Sequence, residues 1–140
     1  MNKKALTERD ICTKFIIPAL KKSGWDIDKQ VREEVFFTDG RIYVKGNKTA
    51  RGERKRADII LYFKPNIPMA VIEAKDNNHS LGSGMQQGLK YAELLDIPVA
   101  YSSNGDGFLE HDKTNYLGKV ERELGLDSFP SPDELWKRYK

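Results

Sequence analysis

Residues 56–80, RADIILYFKPNIPMAVIEAKDNNHS, hold two apolar runs on either side of a short proline-containing loop. Ile59 to Phe63 and Met69 to Ala74 are too short for independent helices and are rich in strand-forming residues. They read as an antiparallel hairpin turning near Pro65 and Asn66. A carboxylate interrupts each run, Asp58 in the first and Glu73 in the second, and Lys75 follows two positions later. Pairing centred on the turn sets Asp58 opposite Glu73 and Ile60 opposite Val71. Alternation then predicts that Asp58, Glu73 and Lys75 project from one face, while Ile59, Leu61, Ile72 and Ala74 enter an apolar layer on the other. Directly opposed Cβ atoms lie about 4.5–5.5 Å apart, where like charges destabilise the pair. A shared divalent cation removes that conflict, and paired carboxylate oxygens suit magnesium. A lysine beside such an ion fits phosphodiester hydrolysis. The metal polarises the phosphate and acidifies a bound water, and Lys75 orients that water or stabilises developing negative charge. The competing reading is a pair of ordinary ion pairs, Asp58 with Arg56 and Glu73 with Lys75 on an edge strand.

The rest of the chain reads as an α/β domain built around that hairpin. "LTERDICTKFIIPALKKSGW" carries Thr7 as N-cap, Asp10 in a variant capping box, and apolar residues at helical spacing. Pro18 is expected to kink or divide this helix and Gly24 to end it. "KQVREEVFF" and "RIYVKG" read as strands, and the basic stretch "NKTARGERKR" as a loop. After the hairpin come a helix from about Ser83 or Gly84, a strand in "IPVAYSSNG" and another in "GFLEHD". Ser131 then caps a C-terminal helix with Pro132 at its first position. The length of 140 residues fits one domain with a real core. Cys12 is the sole cysteine, which excludes an intrachain disulfide and a Cys-x-x-Cys zinc site, and a reducing cytoplasmic setting is expected. There is no apolar membrane span and no phosphate-binding G-x-x-x-x-G-K-[ST] loop. The net charge of +3 permits a polyanionic partner without requiring one. His79 and His111 are too isolated for a zinc cluster, and Trp25 and Trp136 are expected in packing.

An Asp, then Glu-x-Lys across a hairpin and a following helix resembles the PD-(D/E)xK nuclease superfamily, with Ala57 standing where the motif has proline. More narrowly, the chain resembles the N-terminal nuclease domain of the R (HsdR) subunit of type I restriction enzymes. The likeness lies in "LTERDICTKFIIPALKKSGWD", "RADIILYFKPNIPMAVIEAK", "GMQQGLKYAELLDIPVAYSSNGDGF" and "FPSPDELWKRY". It implies a restriction-endonuclease-like α/β fold with a central mixed sheet flanked by helices. It also implies magnesium-dependent hydrolysis of DNA without base readout, manganese serving in magnesium's place. Gln87 and Tyr91 match a Q-x-x-x-Y motif, and being four apart they share a helix face; the resemblance gives them roles in engaging DNA. Glu8 matches an acidic position that helps bind metal, with Asp10, Glu33 and Glu34 as substitutes. Arg51, Arg54, Lys55 and Arg56, with Lys45 and Lys48, form a basic segment that can hold the DNA backbone. The implied partners are double-stranded DNA and the methylation and specificity subunits, and ATP acts only through motor domains outside this chain. The expected division is a nuclease domain over 1–126 and, over 127–140, a linker and the start of a helix leading to those motors. The alternatives are a non-catalytic binding module of this fold, or a nuclease of another PD-(D/E)xK family.

Overall fold

The computed structural model describes residues 2–38, 41–43 and 54–139. Its centre is a seven-stranded mixed sheet. The strands are β1 (Val31–Thr38), β2 (Arg41–Tyr43), β3 (Lys55–Lys64), β4 (Ile67–Ala74), β5 (Val99–Ser103), β6 (Phe108–Asp112) and β7 (Glu121–Leu124). They lie in the order β2-β1-β3-β4-β5-β6-β7, and only β4 and β5 run parallel. A parallel pair needs a crossover, and α3 (Met85–Leu95) supplies it. One face of the sheet packs under α1 (Glu8–Ile11), α2 (Ile17–Lys22) and α4 (Pro132–Tyr139), and the other under α3. This is the expected α/β class, a central mixed sheet flanked by helices. No described helix is long and apolar enough to cross a membrane.

The first helical segment starts as the sequence indicates. Thr7 Oγ1 accepts the Asp10 N–H and the Asp10 carboxylate accepts the Thr7 N–H, both at 3.1 Å, closing a capping box. The helix is divided just before Pro18 but stays helical across it. A π-helical turn over Cys12–Ile16 precedes it, so the proline falls in the first turn of α2, where its missing N–H costs least. Gly24, at φ 103, ends the segment.

The hairpin has the expected register at its open end, where Ile59 pairs with Ile72, Ile60 with Val71 and Leu61 with Ala70; nearer the turn Tyr62 pairs with Pro68, one residue out of it. Its turn is Pro65–Asn66, with Asn66 at φ 71. The single-face arrangement of the site residues requires correction. Glu34 has φ 52, and the residues flanking it, Glu33 and Val35, pair with Ile59 and Ala57, which flank Asp58. At this level both strands change face. Val31, Ile59 and Leu61 pack beneath α1 and α2, whereas Val35, Phe37 and Ala57 pack beneath α3. Strict alternation therefore stops at Asp58.

Strand β7 carries no apolar run and was not marked by the periodicity. Residues 127–139, expected as a linker and part of a helix, are packed against the domain. Phe129 and Leu135 join the core, Trp136 stacks on Phe63 at 4.5 Å between ring centroids, and Trp25 Nε1 donates to Pro130 O at 2.9 Å. The expected cap is present: Ser131 Oγ accepts the Glu134 N–H at 3.2 Å.

Candidate active site

Beyond the Ile59–Ile72 pair, the ladder between β3 and β4 is completed by side chains. Glu73 Oε2 accepts the Asp58 N–H at 3.0 Å, and Asp58 Oδ2 accepts the Ala74 N–H at 2.8 Å. Each carboxylate thus occupies a backbone position on the other's strand, and the two are brought together between the strand ends. They arrive from different sides. Asp58 lines a cavity of about 340 Å³ with Glu8, Arg9, Cys12, Glu34 and Arg56. Glu73 lies under α3, where Gly84 and Gly88 leave room for it: a Cβ on Gly84 would stand 3.3 Å from the Glu73 Cβ and 3.1 Å from Ser102 Oγ. Burial, and then the negative charge of Asp58, push the Glu73 carboxyl up to about 8.

The remaining expected residues gather unevenly around this pair. Gln87 Nε2 donates to Glu73 Oε1 at 2.9 Å, so the glutamine expected at the site touches a carboxylate directly. Tyr91, one turn on, is buried edge-on against Phe37 at 4.9 Å between ring centroids. Lys75 follows β4 and its N–H donates to Ser103 O at 2.9 Å. Its half-buried side chain lies two positions past Glu73, just beyond the end of β4. It makes no ion pair with Glu73, so the Glu-x-Lys salt bridge of the competing reading is absent among the described residues.

Glu8 shares the cavity of Asp58, yet among the described residues no three His, Cys, Asp or Glu side chains converge closely enough to hold a metal. The structure therefore brings Asp58 and Glu73 together without Glu8. The possible substitutes are engaged elsewhere: Asp10 in the capping box, Glu33 with Arg9, and Glu34 with both Arg9 and Arg56. Arg56 Nη2 approaches Asp58 Oδ1 only to 3.8 Å while Nη1 holds Glu34 at 3.2 Å, so the Arg56–Asp58 ion pair of the competing reading is partial. Arg54 lies over the Phe36 ring at 4.2 Å, and Lys55 borders a second cavity with Gln87 and Tyr91. Arg51, Lys45 and Lys48 lie outside the described residues.

A second buried acidic group escaped the sequence reading. Glu110 accepts from Arg122 Nε at 2.8 Å and from Tyr101 Oη at 2.6 Å, and Arg138 Nη1 lies 3.0 Å from it and 3.4 Å from Asp112. Burial alone would raise Glu110, but Arg122, Tyr101 and Arg138 outweigh it and hold the carboxyl below its ordinary value. The alternation of Phe108, Glu110 and Asp112 on one face of "GFLEHD" was the available signal, since a strand burying two carboxylates must meet cations.

No family model matches the chain. It is 51% identical over 140 residues to the type I restriction enzyme EcoAI endonuclease subunit of Escherichia coli, a match covering 99% of this chain and 17% of that protein. Its structure is similar to a solved fragment assigned as the HsdR subunit of a type I restriction enzyme from Vibrio vulnificus YJ016. The TM-score is 0.77 at 47% identity, over 96% of this chain and 25% of the other. The shared fold is restriction-endonuclease-like. This chain thus spans about a sixth of the curated relative and a quarter of the solved one.

Proposed function

From the premise that the chain is a homologue, over the segment they share, of the R (HsdR) subunits of type I restriction enzymes, we propose that it is the DNA-cleaving module of such a subunit. One observation carries this reading beyond kinship: Asp58 and Glu73 are pressed together between β3 and β4, Glu73 is raised to about 8, and among the described residues no cationic side chain bridges them. Two adjacent hard carboxylates in that state suit a divalent cation, with waters and phosphate oxygens as its other ligands. Magnesium, or manganese in its place, would be held by Asp58 and Glu73 and would supply charge stabilisation and an acidified water.

The chain's own groups do the positioning. The Ala74 N–H fixes Asp58, and the Asp58 N–H and Gln87 fix Glu73, so both carboxylates are aimed before any ion or DNA arrives. Lys75, two positions past Glu73, orients the attacking water and offsets negative charge on the phosphate. Tyr91 holds its place through Phe37 and borders the path of the DNA strand. Hydrolysis adds water to phosphorus, one P–O ester bond breaks, and the departing oxygen takes up a proton. Glu8, which lines the same cavity as Asp58, would be a further ligand. Arg54, Lys55 and Arg56, with Arg51, contact phosphates and carry no base readout. The partners are double-stranded DNA and the methylation and specificity subunits, in the cytoplasm. ATP-driven motors belong to polypeptide beyond residues 127–140, and residues 1–126 hold the nuclease machinery.

The test is nicking of supercoiled plasmid by this chain with manganese, and by an assembled type I enzyme carrying the same segment. Asp58→Asn and Glu73→Gln should each reduce nicking to background while the circular dichroism of the chain stays native. Undiminished nicking by either variant in the assembled enzyme overturns the proposal.

A further inference from the structure

On the α3 side of the sheet, next to the carboxylate pair, lies a cavity of about 420 Å³ walled by Lys55 of β3 and by Gln86, Gln87, Lys90 and Tyr91 of α3. Among the described residues its lining carries two ammonium groups, two amides and a phenol, and no carboxylate. The cavity of Asp58 is the reverse, with Glu8, Glu34 and Asp58 set against Arg9 and Arg56. A polyanion approaching the pair meets repulsion on one side and cationic donors on the other. Gln87 stands at the border, since it lines the basic cavity and also holds Glu73. Gln86 and Lys90 are four residues apart, so they share one exposed face of α3. An ammonium and an amide NH2 on one face are matched donors for the oxygens of a phosphodiester. The volume is many times the roughly 30 Å³ share of one water, enough for a phosphate with part of its sugar.

We infer that this cavity is a phosphate subsite, in which Lys90 and Gln86 hold the backbone phosphate adjacent to the one hydrolysed. The inference rests on the nuclease reading and adds to it the course of the DNA: past the carboxylate pair, the cleaved strand runs along the first two turns of α3. Lys90 is then a DNA-positioning residue with no part in the chemistry.

The experiment is fluorescence anisotropy of this chain with a labelled short DNA duplex, calcium replacing magnesium, over a series of salt concentrations. The variants are Lys90→Gln, Gln86→Ala and, as control, Lys113→Gln, which lies in the turn after β6. Losing one phosphate contact should reduce the slope of log affinity against log salt by about 0.9. Lys90→Gln is expected to show that reduction and Lys113→Gln to keep the wild-type slope, with Gln86→Ala weakening binding at an unchanged slope. A wild-type slope for Lys90→Gln, or an equal loss for Lys113→Gln, overturns the subsite. If cleavage by the assembled enzyme still depends on Glu73 in that case, the nuclease reading stands and only the subsite falls. Cleavage indifferent to Glu73→Gln sinks the nuclease reading, and the subsite with it.

Discussion

Glu73 and Glu110 are both almost wholly buried, 2% and 0% exposed, and they are held in opposite ways. Glu110 has Arg122, Arg138 and Tyr101 around it, and its carboxyl lies below the ordinary value. Glu73 has another carboxylate, an amide side chain and a backbone N–H, and its carboxyl is raised to about 8. The first group ties α4 to β6 and β5 and is complete without help. The second is met differently: among the described residues Glu73 has hydrogen bonds but no cationic partner, and Arg56 reaches only Asp58 of the pair, at 3.8 Å. Burying a carboxylate without a cation costs several kcal/mol in principle, and the raised value of Glu73 is the expected response; the divalent cation proposed above would supply the missing charge. The two acids are almost equally buried and differ in the sign of their compensation.

The largest expected effect separates the two groups by stability. Glu110→Gln leaves Arg138 buried without its full countercharge and should cost about 3–5 kcal/mol in chemical denaturation, with no direct change in metal binding. Next in size, Gln87→Ala removes the side chain that aims Glu73 and should weaken manganese binding by about 10–100-fold, measured by calorimetry, while the melting temperature changes little. Glu73→Gln should do the reverse for stability. Without metal it removes a carboxyl that must keep its proton up to about pH 8 in the fold, and unfolding near neutral pH should show no loss or a gain of up to roughly 2 kcal/mol.

The pH dependence of melting sharpens the contrast, because the signs are opposite. Glu73 has a folded value raised from 4.5 to about 8. The folded state therefore holds its proton after the unfolded state has released one, and the site's contribution to metal-free stability falls as pH rises across that interval. Glu110 has a folded value below 4.5. Its contribution is present above 4.5 and is lost as pH falls through the lower, folded value. Glu73→Gln should abolish the alkaline decline and leave the acid one. The smallest effect is expected for Arg122→Ala, because Arg122 is 30% exposed and shares Glu110 with Arg138; it should cost about 1 kcal/mol.

The hairpin and its two carboxylates were readable because Asp58 and Glu73 break runs of aliphatic residues, and the register follows from the Pro65–Asn66 turn. The capping box at Thr7 and the cap at Ser131 were readable because their chemistry is local. The face change at Asp58 was not, since nothing in a glutamate announces φ 52 at position 34; the neighbouring strand imposes it. The Glu110–Arg138 pair joins strand and helix through tertiary packing, which no spacing rule records. Gly84 and Gly88 were visible as "GSGMQQG", yet their use, letting α3 lie on Glu73, depends on the crossover. The Q-x-x-x-Y resemblance drew attention to Gln87, and the geometry adds that this residue touches a carboxylate.

The most direct test of the central claim is a calorimetric titration of manganese into this chain and into its Glu73→Gln variant, with a short DNA duplex present. Saturable binding by the wild type that disappears in the variant is the predicted result. Equal binding by both proteins, or none by the wild type, would contradict the claim that the buried Asp58–Glu73 pair is completed by a divalent cation.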